Sequence, residues 1–256
     1  MTWRVSLDVD DATAYEAMAA DRRWTGYAIA DLDEPFRAYS RVAVARRGAE
    51  TAALLVLRHP AFTAMVPHGP PDGLAAILAQ DELPAESHFF ARDEHLGVLH
   101  RTFDFANPTP MWRMAVDATG FAPAGGEARR LGIGDIDDLL DLYTAYPENA
   151  FQPDQLATGV FYGVRDGGRL VAAAGTHVVS RRYGIAAVGS VYTRPEARGR
   201  GHAAATASAV VAELLADGCR DAILNVAIAN PPAVAVYRKL GFAAHCRHHE
   251  GTGRRR

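Results

Sequence analysis

The segment SVYTRPEARGRGHAAATASAVVAELL, from Ser190 to Leu215, constrains the fold of this chain more than any other. It begins with the apolar and β-branched residues of a strand and ends with apolar residues at helical spacing. Between them lies a turn, rich in arginine and glycine, that carries almost no apolar side chain. A strand that passes through such a turn into a helix predicts a mixed α/β architecture, an α+β fold with a mixed sheet.

The turn has the composition of an anion-binding site. Backbone N–H groups at the start of a helix have no partner inside the helix, and the helix dipole adds partial positive charge there. Gly199 and Gly201 leave room for another molecule to approach, and Arg198 and Arg200 add full charges. A pyrophosphate fits such a site. The alternative is a solvated basic turn, because short glycine-rich motifs are weak evidence alone.

Composition excludes several classes of protein. The chain has 256 residues, 49% hydrophobic and 22% charged, as is usual for globular domains. A net charge of -3 argues against a nucleic-acid partner. No apolar run is long enough to span a bilayer, and the N-terminal segment lacks the pattern of a signal peptide. With Cys219 and Cys246 as the only cysteines, we expect a cytoplasmic protein.

The second half of the chain has the clearer pattern of elements. The sequence predicts a helix in GDIDDLLDLYTAY, capped by Asp135 and with Ile136, Leu139, Leu140 and Tyr143 on its apolar side. Two strands follow around an Asp166-Gly167-Gly168 turn, and YGIAAVGSVYT extends them into an antiparallel meander. After the long helix come, in order, a buried strand in DAILNVAIAN, a helix in PPAVAVYRKLGF and an exposed last strand in AAHCRHHE.

The first half is less regular and contains no recognisable catalytic spacing. The segments RVAVARRGAETAALLVL and FTAMVPHG predict three strands, and strands and helices alternate after them. A Gly/Pro-rich linker lies between Ala118 and Ala128. We therefore expect an N-terminal domain over residues 1–120 and a C-terminal domain over residues 126–256.

Two motifs resemble the GNAT superfamily of N-acetyltransferases. RPEARGRGHA is similar to its acyl-CoA pyrophosphate loop, with Arg198, Gly201 and Ala203 at the positions that define the motif. NVAIANPPAVAVYRKLGF, one helix and one strand later, resembles its second motif. The resemblance covers roughly residues 126–256 and is closest to the glycine N-acyltransferase-like branch. It implies a GNAT-like catalytic fold in the C-terminal half and a degenerate copy in the N-terminal half.

The resemblance implies direct acyl transfer from acetyl-CoA, or another acyl-CoA, to an amine of a small molecule or protein. The backbone of Val191, Tyr192 and Thr193 would pair with the pantetheine arm. The pyrophosphate would be bound by Arg198, Gly199, Arg200, Gly201, His202 and Ala203. Asn230 would bind the pantetheine side, or it caps the next helix. Tyr237 would protonate the leaving thiolate as general acid, or it is a core aromatic residue.

The general base is open at this stage. Ala187 lies where glycine N-acyltransferases have a glutamate, and this strand contains no carboxylate. The candidates are His177, Glu148 and an ordered water chain. The unperturbed pKa of an imidazole, near ~6.5, would suit His177 to this role. The missing carboxylate also leaves open a non-catalytic acyl-CoA sensor, and an O-acyltransferase is a third possibility. His245–Glu250 matches no common zinc spacing, so we expect no metal.

Overall fold

The chain divides into two units, described here from a computed structural model covering residues 2–105, 107–146 and 151–256. One unit consists of Met1–Arg113, Ala227–Ala229 and His245–Arg256. The other consists of Met114–Val226 and Asn230–Ala244. The first unit therefore takes its last segment from the C-terminal end of the chain, a feature that the linker pattern does not indicate.

Strands and helices alternate along the chain. The strands are β1 (Arg4–Ser6), β2 (Ser40–Arg47), β3 (Glu50–His59), β4 (Phe62–His68), β5 (Glu86–Ala91), β6 (Phe103–Phe105), β7 (Thr109–Val116), β8 (Arg129–Arg130), β9 (Tyr162–Asp166), β10 (Arg169–Ser180), β11 (Ile185–Thr193), β12 (Asp221–Ala227) and β13 (Ala243–Arg255). The helices are α1 (Asp11–Ala19), α2 (Gly26–Ala30), α3 (Pro71–Leu78), α4 (Asp93–Thr102), α5 (Ile136–Thr144), α6 (Gln155–Thr158), α7 (His202–Ala216) and α8 (Pro231–Lys239).

In the first unit the strands lie in the order β1-β2-β3-β4-β5-β13, with β6 also paired to β13. The first four strands are antiparallel, β4 and β5 are parallel, and β5 and β13 are antiparallel. A core of Leu54, Met65, Leu74 and Phe89 packs between the sheet and α3. Asp10 caps the start of α1, since its carboxylate accepts a hydrogen bond from the Thr13 N–H.

In the second unit the order is β8-β9-β10-β11-β12-β7. The strands from β8 to β11 form an antiparallel meander, and β12 runs parallel to β11. Leu170 of the sheet packs with Leu139 and Tyr143 of α5, whereas the Tyr162 hydroxyl donates to Glu213 of α7 at 2.8 Å. Tyr162 and Gly163 are neighbours in β9 and therefore point to opposite faces of the sheet. Gly163 lies on the face that carries Leu170, so Tyr162 lies on the other face. The helices α5 and α7 therefore cover opposite faces of this sheet.

Two stretches of the chain, from β1 to β6 and from β8 to β13, repeat one order of elements. Each stretch begins with a short strand and two helices, continues with a three-stranded meander, and then has a helix, a parallel strand, a helix and a further strand. The mixed α/β class predicted from the sequence is confirmed. The predicted hairpin at Asp166 is also confirmed, since β9 and β10 pair around it.

Two predicted burial patterns are wrong. Leu140 is 46% exposed, and Leu142 takes its place in the core, because the buried stripe of α5 runs through Leu139, Leu142 and Tyr143. The last strand is not an exposed edge. His248 is fully buried there, and β13 pairs with β5 along its length from His249 to Arg254.

Candidate functional site

The glycine-rich turn leads from β11 into α7 through a short 3₁₀ turn, Pro195–Ala197. Gly199 and Gly201 have φ of 78° and 83°, which is left-handed backbone that side chains disfavour. A Cβ at either position would meet no atom within 4 Å, so both face open space. Gly201 is the N-cap residue of α7 and supplies no side-chain cap. The first N–H groups of α7 therefore have no capping side chain at Gly201, and such a helix start can bind an anion.

The arginines of the turn have different roles. Arg194 is buried, its Nε donates to the Leu170 carbonyl at 3.0 Å, and its guanidinium pairs with Asp141 at 2.6 Å. It anchors the start of the turn to β10 and α5. Arg198 and Arg200 are exposed, and Arg198 lies over the Tyr192 ring at 5.9 Å from the centroid. These two side chains supply the charge available to a ligand.

The pairing of β11 with β12 ends before the turn, and we call the unpaired stretch beyond the last pair the groove. Their parallel ladder joins only Ile185 to Asp221, Ala186 to Ala222 and Ala187 to Ile223 within the described residues. On its other edge β11 remains paired with β10 as far as Thr193. The backbone of residues 188–193 thus has an edge toward β12 without a ladder partner. An extended chain with amide groups can bind such an edge as an added strand.

A bulge in β11 accompanies the opening. Ser190 and Val191 together face a single residue of β10, and Ser190 has a φ of 51°. The buried Tyr143 hydroxyl donates to the Ser190 carbonyl at 2.5 Å. Burial raises the pKa of Tyr143, so the phenol keeps its proton and remains a donor. This contact fixes an unfavourable backbone conformation at the groove.

Two buried hydroxyl groups next to the groove lack partners. Ser190 Oγ and Thr193 Oγ1 are both buried without a hydrogen bond to any residue that the structure describes. Buried polar groups usually have partners, so such atoms call for a ligand or an ordered water. Both hydroxyl groups belong to the stretch of β11 beyond its last pair with β12.

Asn230 and Tyr237 lie at the start and near the end of α8. Asn230 is exposed and caps α8, since its side chain accepts from the Ala233 N–H at 3.3 Å. Tyr237 is 8% exposed and packs edge-on against Phe242, with ring centroids 5.9 Å apart. Burial raises the pKa of Tyr237, and the nearby Tyr146 raises it further. The phenol is therefore protonated throughout the neutral range.

The face of β11 toward α5 is lined by aromatic rings. Tyr146 stacks on Tyr192 at 5.3 Å between centroids and with 9° between the planes. His177, on a bulge of β10, places its imidazole over Gly189, where Nε2 would lie 2.0 Å from a Cβ at that glycine. Ala187 is buried, and Glu148 lies outside the described residues.

A cavity of about 360 Å³ lies beside the turn, in the second unit. Its walls come from three segments: the linker at Gly125–Glu127, the end of β9, and the start of α7 at Arg200–His202. An Arg200–Asp166 ion pair of 3.3 Å borders it. The described residues contain no group of three or more His, Cys, Asp or Glu side chains arranged to hold a metal ion. They also contain no helix long and apolar enough to cross a membrane.

Comparison with solved structures shows that other proteins share this architecture. A Drosophila protein matches 98% of this chain and 98% of its own with a TM-score of 0.72 at 15% identity. A tandem GNAT protein from the clavulanic acid biosynthesis pathway, solved without AcCoA, also matches 98% of each chain, with a TM-score of 0.55 and 13% identity. At these identities the likeness concerns the fold.

Sequence comparison is more specific for the second unit. Residues 128–242 match the profile of the acetyltransferase (GNAT) family and form a GNAT acetyltransferase domain. A GNAT-family acetyltransferase structure from Novosphingobium aromaticivorans is 25% identical and covers 75% of this chain and 84% of its own, with a TM-score of 0.57. The comparison with curated protein sequences gave no match.

Sequence reasoning missed three features of the site. The Tyr143–Ser190 contact joins a helix to a strand 47 positions away, and local periodicity carries no information about it. The burial of Arg194 and its ion pair with Asp141 are likewise invisible in the sequence. The third feature is the His177 imidazole over Gly189. Its one signal was Gly189 opposite Gly175, because paired glycines in a meander indicate that other side chains fill their places.

Proposed function

We propose that the protein is an acyl-CoA-dependent N-acyltransferase that transfers an acyl group, most simply acetyl, directly to an amine. The groove between β11 and β12, ending at the glycine turn before α7, carries this proposal. It combines an unpaired strand edge with an anion-binding helix start, which are the two features that an acyl-CoA needs.

The proposed cofactor contacts follow from this arrangement. The backbone of Val191, Tyr192 and Thr193 would pair with the pantetheine amides. The turn from Arg198 to Ala203 would bind the pyrophosphate through its N–H groups and exposed guanidinium groups. Asn230 can accept a ligand contact in addition to capping α8, because it is exposed. The hydroxyl groups of Ser190 and Thr193 are available for polar atoms of the bound arm.

Tyr237 is the proposed general acid. An acceptor ammonium and an acyl thioester give an amide, a free thiol and one released proton. The amine nitrogen forms a bond to the acyl carbon as the carbon–sulfur bond breaks, and the sulfur leaves with the electron pair. A phenol with a raised pKa remains protonated and can donate to that sulfur. The second proton that the nitrogen loses as the amide forms replaces the proton given by the phenol. Among the described residues its hydroxyl has no hydrogen bond that would compete with this role.

The first unit is proposed to be a degenerate copy of the same domain. It repeats the order of elements, including a parallel pair in which α3 connects β4 and β5. The corresponding opening is filled, because the buried Trp24 indole donates to the Pro67 carbonyl at 3.0 Å. The turn before α3 is HGPP, with a single glycine and no arginine. We therefore assign acyl-CoA binding to the second unit alone.

An acyl-CoA sensor without catalysis is the second candidate. The observation that favours it is the absence of any carboxylate on β11, Ile185–Thr193. A sensor would bind coenzyme A through the same turn and groove but would not release thiol.

The discriminating experiment is a thiol-release assay on the full chain. Acetyl-CoA would be incubated with a panel of small amines, amino acids, aminoglycosides and lysine peptides, while coenzyme A affinity is measured by calorimetry. Thiol release that depends on an amine supports the transferase. Tight coenzyme A binding with no release for any acceptor supports the sensor, and absence of binding rejects both.

A further inference from the structure

His177 lies in an unusual relation to Gly189. A Cβ added to Gly189 would lie 2.0, 2.3 and 2.5 Å from three atoms of the His177 imidazole. The ring therefore fills the space that the side chain of residue 189 would take. Gly189 pairs with Gly175, whose own Cβ position is filled by the Phe161 ring on the α5 face. Directly opposite residues share a face, so His177 covers the α5 face of β11.

This is the part of β11 at which the groove opens. The ladder to β12 ends at Ala187, two residues before Gly189, and the bulge begins at Ser190, one residue after it. The imidazole thus lies between the last paired residue and the bulge. Apart from Ser190, Tyr192 and Thr193, the side chains of β11 are apolar or absent. The strand β11 itself therefore carries no carboxylate or imidazole on this face.

The backbone of β10 holds the ring in this place. His177 is the extra residue of a bulge, between Thr176 opposite Val188 and Val178 opposite Ala187. Bulges redirect a side chain relative to the regular pleat. The Gln155 side-chain amide donates to the His177 carbonyl at 3.3 Å, and Thr176 Oγ1 accepts from the Val160 N–H at 3.0 Å. These contacts anchor the bulge to the α6 segment.

We propose that His177 is the general base of the acyl transfer and that the missing side chain at Gly189 leaves room for its imidazole. The inference rests on the proposed function. The neutral imidazole takes one proton from the acceptor ammonium and becomes imidazolium, and the freed amine attacks the acyl carbon. The imidazolium then returns that proton to solvent, which accounts for the single proton that the reaction releases. The carboxylate that β11 lacks is not needed for this step.

The test uses the full chain and four forms: parent, His177→Ala, Gly189→Ala and the double variant. His177→Ala removes the base. Gly189→Ala leaves the imidazole chemically intact but places a methyl group where the ring lies, so the ring must swing away. Each form is assayed for thiol release with an acceptor that the parent uses, and for coenzyme A affinity and melting temperature.

Each single change should lower kcat by about 10² or more, the usual scale for general base catalysis, with coenzyme A affinity unchanged. The double variant should be no slower than His177→Ala, because both changes remove the same group. Added imidazole should restore part of the rate to His177→Ala, which a packing role would not produce. Parental kcat in His177→Ala, independent losses in the double variant, or no rescue would overturn the assignment while leaving the transferase standing. A parent that releases no thiol would overturn both.

Discussion

The Tyr143 hydroxyl donates a 2.5 Å hydrogen bond to the Ser190 carbonyl, at the residue whose positive φ forms the bulge of β11. A serine in that conformation is strained and persists only where its surroundings determine it. Tyr143 lies in the core of α5, so the groove for the proposed acyl-CoA is fixed by a buried side chain on a different element.

Tyr143→Phe should loosen this bulge. The change removes one hydroxyl and leaves the Ser190 carbonyl without that partner, which costs about 1 kcal/mol of unfolding free energy. If the bulge is needed for binding, coenzyme A affinity should weaken by roughly fivefold for the same free energy. Calorimetry and thermal melting measure the two effects. Unchanged affinity with reduced stability would mean that the contact serves the fold alone.

Tyr237→Phe should affect the rate instead. The ring that packs on Phe242 is retained, so melting temperature and coenzyme A affinity should match the parent. The loss of the general acid should lower kcat by about 10² or more. Tyr143→Phe provides the contrast, since it removes a hydroxyl bonded to the Ser190 carbonyl and should change stability and coenzyme A affinity instead of kcat. Parental turnover in Tyr237→Phe would assign Tyr237 to the core and the acid to water.

Acid should destabilise the first unit. Burial lowers the pKa of His68, His95 and His248. In the unfolded chain these histidines have ordinary pKa values near ~6.5, so below that pH the unfolded chain binds more protons than the folded chain. The stability that these groups give at pH 7 is therefore lost as the pH falls to 5. All three tryptophans, Trp3, Trp24 and Trp112, belong to this unit, so their fluorescence reports its unfolding in urea.

A control isolates the histidine contribution to this effect. His95→Gln removes a group that titrates but keeps a side chain able to bond the Gly69 carbonyl, which His95 Nε2 contacts at 2.9 Å. This variant should lose less stability between pH 7 and 5 than the parent. An equal loss in both proteins would show that His95 does not contribute, and a flat pH response in the parent would contradict the assigned pKa directions.

The second unit was largely predictable because its signals are local. The Asp166-Gly167-Gly168 turn fixes the β9–β10 hairpin, and strand, glycine turn and helix follow one another from Ser190 to Leu215. The α1 helix was missed because its buried residues are the small Ala14 and Ala17 with Met18, which form a weak apolar stripe. The place of β13 was also missed, since its pairing with β5 joins residues about 160 positions apart, and no local pattern encodes that contact.

The site was predictable where the chain itself forms it and not where distant elements meet. The turn, the Asn230 cap and the position of Tyr237 on α8 follow from sequence order. The Tyr143 contact and the imidazole over Gly189 require the register of β10 and β11, which two bulges shift. A single extra residue in either strand changes which side chains share a face, and the sequence does not mark the bulges.

Coenzyme A binding to a matched pair of glycine variants tests the central claim most directly. Gly201 and Gly218 lie at the two ends of α7, have φ of 83° and 91°, and both face open space. Gly201→Glu and Gly218→Glu therefore impose similar backbone strain, but only the first places a carboxylate at the proposed pyrophosphate site. Calorimetry on the full chain should give parental affinity for Gly218→Glu and no binding for Gly201→Glu, with both variants folded. Parental affinity in Gly201→Glu would contradict the account.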